Sequence, residues 1–292
     1  MAALLAVAGD VPAAYEHAAR ARRRYVDLGM SRHNTLVCVN LVVLGTTEAY
    51  MGAFDEALER LQEAVRMAGD AAAPGIRAKS RVVLANTWLA LGCPDEARRR
   101  VADVPDDAPP GMRMQVALVQ ALAERQDGGS GSEGFARLAA LMAQHPALPV
   151  VDSAWIEWSY QGDAAAVVAQ LRSLRPEFER LGLPGSARTL LLREVARGIE
   201  IDDEAETLAA ARAAASLMPR IDDGLNAKSH PPEAWDILAQ AFERAGDGAQ
   251  AALARERARA WLLDRALPCV PAAYKASFRR QPLHRRLLGE RG

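Results

Sequence analysis

The chain has 292 residues, 50% of them hydrophobic, with 36 basic and 37 acidic side chains and a net charge of −1. That apolar content suffices for a large buried core, which excludes an intrinsically disordered chain. The balanced charge leaves no basic excess for a phosphate backbone, which excludes nucleic-acid binding as the main role.

The chain opens MAALLAVAGDVPAAYEHA: a short apolar stretch, a Gly-Asp turn, then an Ala-rich amphipathic helix. The same phrase recurs as GAFDEALERL at Gly52, GCPDEARRRV at Gly92, GDAAAVVAQL at Gly162 and GDGAQAALAR at Gly246. Each glycine suits a left-handed helix C-cap, and the Asp or Pro after it starts the next helix by capping or by preset φ. Helical periodicity precedes these turns over 36–51, 80–91, 149–161 and 231–245. Aromatic residues are only 5%, and the abundant Ala, Leu and Arg lose little freedom in a helix. Alternating Val, Ile and Thr runs are scarce, so the expectation is all-α.

Two further units are looser. DGGSGSEG at 127–134 reads as a swollen, flexible turn, and the acidic IDDEAE at 201–206 as a helix start with Asp202 or Asp203 as N-cap. Taking Ala14, Ala57, Ala97, Ala136, Val167, Ala205 and Ala251 as equivalent spaces the units by about 40 residues on average, a length that suits two helices and their turns. The expectation is seven helical hairpins over residues 1–267, the first lacking about half of its first helix. That open start leads to the further expectation that a preceding domain, such as an ATPase, was cut away.

In the last unit Trp235, Leu238, Ala239, Phe242, Gly246, Ala251 and Ala258 reproduce W-x2-L-A-x2-F-x3-G-x4-A-x6-A, which resembles the tetratricopeptide repeat. The unit with Leu41, Leu44, Gly45, Gly52, Phe54, Ala57, Leu61 and Ala64 fits the same pattern. Small residues at 45, 57, 64, 239, 251 and 258 let helix backbones approach closely, and the large ones at 41, 54, 235 and 242 fill the space between layers. The resemblance implies a binding module whose concave face takes a protein or peptide partner, or a small effector. On its register Thr46, Tyr50, Lys79, Asn86, Asp152, Tyr160, Asp236 and Gln240 face that groove, while Trp155 and Trp158 pack within and between hairpins.

No cofactor, metal or catalytic constellation is expected. GGSGSEG lacks the lysine of a phosphate loop, and His17, His33, His145, His230 and His284 lie in separate units without zinc spacing. Cys38, Cys93 and Cys269 are far apart and odd in number, which suits a reducing compartment. The basic runs at 20–26 and 98–100 read as solvated helix faces. No apolar run approaches the ~20 residues of a membrane span, and MAALLAVAG lacks the basic start of a signal peptide, so a cytoplasmic protein is expected.

Residues 268–292 depart from the repeat, with Pro268, Pro271 and Pro282 expected to break the helices. Val270, Pro271, Tyr274, Lys275, Ser277 and Phe278, then Pro282, Arg286, Leu287 and Leu288, resemble the tail on the helical-repeat region of large bacterial signalling ATPases and of cyclase-type or transcriptional regulators. This implies a non-enzymatic sensor or regulatory module. The alternatives are an assembly scaffold bridging two proteins and, more remotely, an enzyme on a helical-repeat scaffold. Phe278, Leu283, Leu287 and Leu288 are expected to cap the open end of the solenoid.

Overall fold

A computed structural model describes residues 10–30, 35–69, 74–105, 107–145, 162–180, 182, 184–201, 203–218 and 231–289. Every regular element among the described residues is helical. The first half holds α1 (Val11–Asp27), α2 (Thr35–Tyr50), α3 (Phe54–Ala68), α4 (Pro74–Ala90), α5 (Pro94–Ala102), α6 (Pro110–Gln126) and α7 (Ser132–Gln144). The second holds α8 (Ala164–Arg180), α9 (Pro184–Glu200), α10 (Glu204–Leu217), α11 (Pro231–Arg244), α12 (Gly248–Ala260), α13 (Lys275–Arg280) and α14 (Pro282–Leu288).

Consecutive helices pack as pairs, α2 on α3, α4 on α5, α6 on α7, α9 on α10 and α11 on α12. A second set of contacts skips one helix, joining α2 to α4, α4 to α6 and α9 to α11. The first helices of successive pairs therefore lie closer together than the second ones, and the result is an all-α solenoid with an inner and an outer layer. The pairs turn at Gly52, Gly92 and Gly246, and Gly162 leads into α8, with φ of 86°, 71°, 72° and 93°. In that left-handed region a side chain is penalised. Capping follows from the adjacent residues: Ala13 N–H donates to Asp10 Oδ1 at 3.1 Å, Ala166 N–H to Asp163 at 2.9 Å and Gln250 N–H to Asp247 at 3.1 Å.

The small residues act as spacers. A Cβ on Gly45 would stand 2.6 Å from Leu61 Cγ, so only glycine allows α2 and α3 this approach. Leu41, Phe54, Trp235 and Phe242 are buried between layers. Two assignments need correction: Ala136 and Ala205 are exposed. Gly134 instead packs into α6, where a Cβ would meet Ala121 N at 2.7 Å, and Thr207 lies directly beneath Gly198. The 127–134 turn is also shorter than expected, because 132–134 already belong to α7. Asp203 does hold the N-cap position of α10, but its side chain makes no capping bond. It accepts from Arg172 at 3.0 Å instead.

The tail corrects one further expectation and extends another. α12 does not stop near Pro268; it continues through a π turn, Trp261–Ala266, and one α turn, Leu267–Cys269. The wider π register loosens the turn that the proline ring would otherwise crowd. The chain leaves the helix only at Val270, ahead of Pro271. It then returns to the pairs near the start of the array. Gly52 lies against Trp261 and Ala266, and Gly92 lies under the Ser277 carbonyl, 2.7 Å from where its Cβ would be. Phe278 packs edge-on against Phe54 at 5.7 Å between ring centroids, and Tyr274 against Trp88 at 4.9 Å. Ser277 Oγ donates to the Leu91 carbonyl at 3.1 Å and Gln281 Nε2 to that of Ala90 at 2.8 Å. Phe278 and Leu287 therefore do not cover the last pair alone. Leu287 touches both the cluster around Phe54 and Trp88 and the cluster around Trp235 and Leu238.

Candidate functional site

Asp152 and Tyr160, with Trp155 and Trp158, lie outside the described residues. Thr46 is half-buried, and its Oγ1 donates to the Val42 carbonyl at 2.6 Å, so it is engaged by its own helix. Tyr50 is buried, and desolvation pushes its phenol above the usual range. Lys79 is exposed near the start of α4, and Asn86 is half-buried two turns further on. These four lie on the inner helices α2 and α4. Asp236 and Gln240 do come together, one turn apart on α11.

They line a cleft of about 630 Å³ between α11, α12 and α14. Asp236 is 7% exposed, yet its carboxylate is well supplied with donors. Gln240 Nε2 donates to Oδ2 at 2.7 Å, and Arg286 Nη2 reaches the same oxygen at 2.5 Å. The α12 wall carries Arg255, Glu256 and Arg259, with Glu243 at the end of α11 and Leu287 on the tail. Arg255 pairs with Glu243. Glu256 and Arg259 are exposed and enter no ion pair among the described residues, so the rim presents an exposed charge of each sign.

Sequence reasoning missed the outer wall and the role of Arg286. Arg255 and Arg259 stand at i, i+4 on a helix whose other face is an alanine stripe, which was the available signal. Arg286 was visible only as part of a tail pattern, because its partner lies 50 residues earlier.

A smaller recess of about 260 Å³ is lined by Arg98, Gln120, Glu124, Glu133, Gly134 and Arg137. Its donors are largely committed: Arg98 pairs with Asp95 and Asp127, and Arg137 donates to Gln120 at 3.0 Å. These contacts stitch α5, α6 and α7 together.

Among the described residues no group of His, Cys, Asp and Glu is arranged to hold a metal ion, and no helix is long and apolar enough to cross a membrane. His284 is a packing residue whose Nδ1 donates to the Phe278 carbonyl at 2.8 Å while its ring lies tilted against Phe278, centroids 4.3 Å apart. Burial pushes all three thiols up, opposite to the shift that activates a nucleophilic cysteine. The chain matches no protein-family model, and no curated protein matches it.

Proposed function

We propose that the chain is a tetratricopeptide-like module that binds a protein or peptide partner and acts as a sensor or regulatory element of a bacterial signalling system. The observation that carries this reading is the cleft between α11, α12 and α14, which joins Asp236 and Gln240 to exposed charges of both signs. Its volume of about 630 Å³ suits a few side chains of an extended or helical segment rather than a flat protein face. Peptides carry cations, carboxylates and backbone donors together, which is the complement such a rim offers. The tail's likeness to that of signalling ATPases supports the sensor role.

The coupling mechanism follows from Asp236. A Lys or Arg of the partner that takes this carboxylate competes with Arg286, which accounts for one of its two side-chain donors. Losing that bond frees α14, and α14 is continuous with the segment seated on Gly92. Occupancy of the cleft is thereby passed to the pairs α2–α3 and α4–α5. The test is native capture with mass spectrometry on wild type, Gln240→Arg and Arg259→Glu, followed by calorimetry with the captured segment. Each exposed-rim variant should weaken binding about tenfold, equivalent to ~1.4 kcal/mol, without altering helicity. An unchanged partner set and affinity in both variants rejects the reading.

A further inference from the structure

Arg188 is the one arginine among the described residues whose three guanidinium nitrogens are all buried without a hydrogen-bond acceptor. Its side chain is 0% exposed. The neighbouring arginines show what this part of the fold otherwise does. Arg172 donates to Glu194 at 2.7 Å and to Asp203 at 3.0 Å. Arg193 donates to Glu233 at 3.0 Å. Arg197 donates to Glu200 at 2.7 Å and to the Gly162 carbonyl at 2.6 Å. Each has a carboxylate, and among the described residues Arg188 has none.

The charge cannot be shed. Burial pulls the Arg188 pKa down to about 9, which still leaves the guanidinium protonated near neutrality. Its place in the helix adds to the imbalance, because Arg188 lies early in α9, where the helix dipole is positive. A buried cation with neither counter-charge nor acceptor is among the most destabilising arrangements a core can hold, and breaking a buried pair has that outcome. The group that complements a guanidinium is an anion. Leu191 and Leu192, one turn further along α9 on the same side, pack in a cluster with Met218, Ala234 and Trp235. That puts Arg188 on the side of α9 that faces this cluster, and it is not among the residues lining the cleft at Asp236.

We propose that Arg188 anchors a buried binding site for a small oxyanion ligand, a carboxylate or a phosphate, held by two oxygens on the planar guanidinium fork. This site is independent of the peptide cleft, and it stands if the cleft reading fails.

The test is thermal unfolding of the full chain in chloride buffer, titrated at matched ionic strength with inorganic phosphate in one arm and succinate in the other. The wild-type midpoint should rise with the logarithm of the free anion, and the arm that acts at lower concentration names the source. Arg188→Met should start about 2–6 °C above wild type, since an apolar side chain replaces an uncompensated charge, and should not respond to either anion. Arg188→Lys, which keeps the charge but loses the fork, should respond more weakly than wild type. The proposal is overturned if neither anion shifts the wild-type midpoint, or if Arg188→Met responds as wild type does. Should Arg188→Met not fold, phosphorus-31 line broadening of phosphate and saturation transfer to succinate on the wild type decide the matter. Absence of both signals overturns the site.

Discussion

Gly92 and Gly246 share a left-handed backbone, with φ of 71° and 72°, but not their surroundings. A Cβ on Gly246 meets nothing within 4 Å, whereas one on Gly92 would press on the Ser277 carbonyl at 2.7 Å. Gly246→Ala should therefore cost only the left-handed conformation, about 1 kcal/mol. Gly92→Ala should cost that and also displace the tail backbone, about 3 kcal/mol in total. Urea unfolding of the two variants checks the difference, and equal costs would mean that Ser277 does not rest on this turn. A second residue-scale expectation concerns Glu48, 3% exposed with Oε2 lacking a hydrogen-bond partner among the described residues. Burial raises its pKa, and Arg60 at 3.6 Å only partly opposes this. A carboxylate raised on folding takes up a proton more readily in the native state, so it weakens the fold as pH rises through its folded value. Glu48→Gln should raise the melting midpoint near neutral pH, and the gain should vanish below the ordinary carboxylate range. A gain that persists unchanged in acid would assign the effect to packing instead.

At the scale of elements, the tail depends on a few aromatic contacts. Phe278 is 1% exposed between Phe54 and His284, so Phe278→Ala should cost about 3–5 kcal/mol. The same change should unseat Ser277, whose Oγ lies 3.3 Å from Cys93 Sγ. In a Cys38→Ser, Cys269→Ser background, Cys93 should then react with a thiol reagent several-fold faster, and an unchanged rate would contradict the seating. Helices and turns were legible beforehand because their signals are local: a glycine at a positive φ, an Asp cap, apolar residues at helical spacing. Asp236 and Gln240 were legible for the same reason, being one turn apart on an inner helix. The alanine-rich outer helices are harder to register, since several alanines fit each one: Ala136 and Ala205 match the pattern, but Gly134 and Thr207 do the packing. The tail's return was not legible at all. Ser277 to Leu91 and Gln281 to Ala90 span 186 and 191 residues, and nothing local encodes a pairing so distant.

For the whole molecule, that return changes how stability is shared. In an open solenoid each unit touches only its neighbours, so the effect of a lesion fades along the array. Here Phe278, Tyr274 and Gln281 rest on α3, α4 and the turn after it, while Arg286 and Leu287 rest on α11 and α12. The tail thus gives two distant regions a common support, and loss of one anchor should be felt in both. Native-state hydrogen exchange reads this directly. Phe278→Ala should lower amide protection in α3 and α4 and, at the same denaturant, in α11 and α12, with a smaller change in α6 and α7 between them. Asp236→Asn, which weakens the other anchor, should produce the same paired pattern from the opposite side. Protection lost only around the mutated anchor would show that the array behaves as independent neighbours, and the route proposed from the cleft to the early pairs would then have no physical carrier.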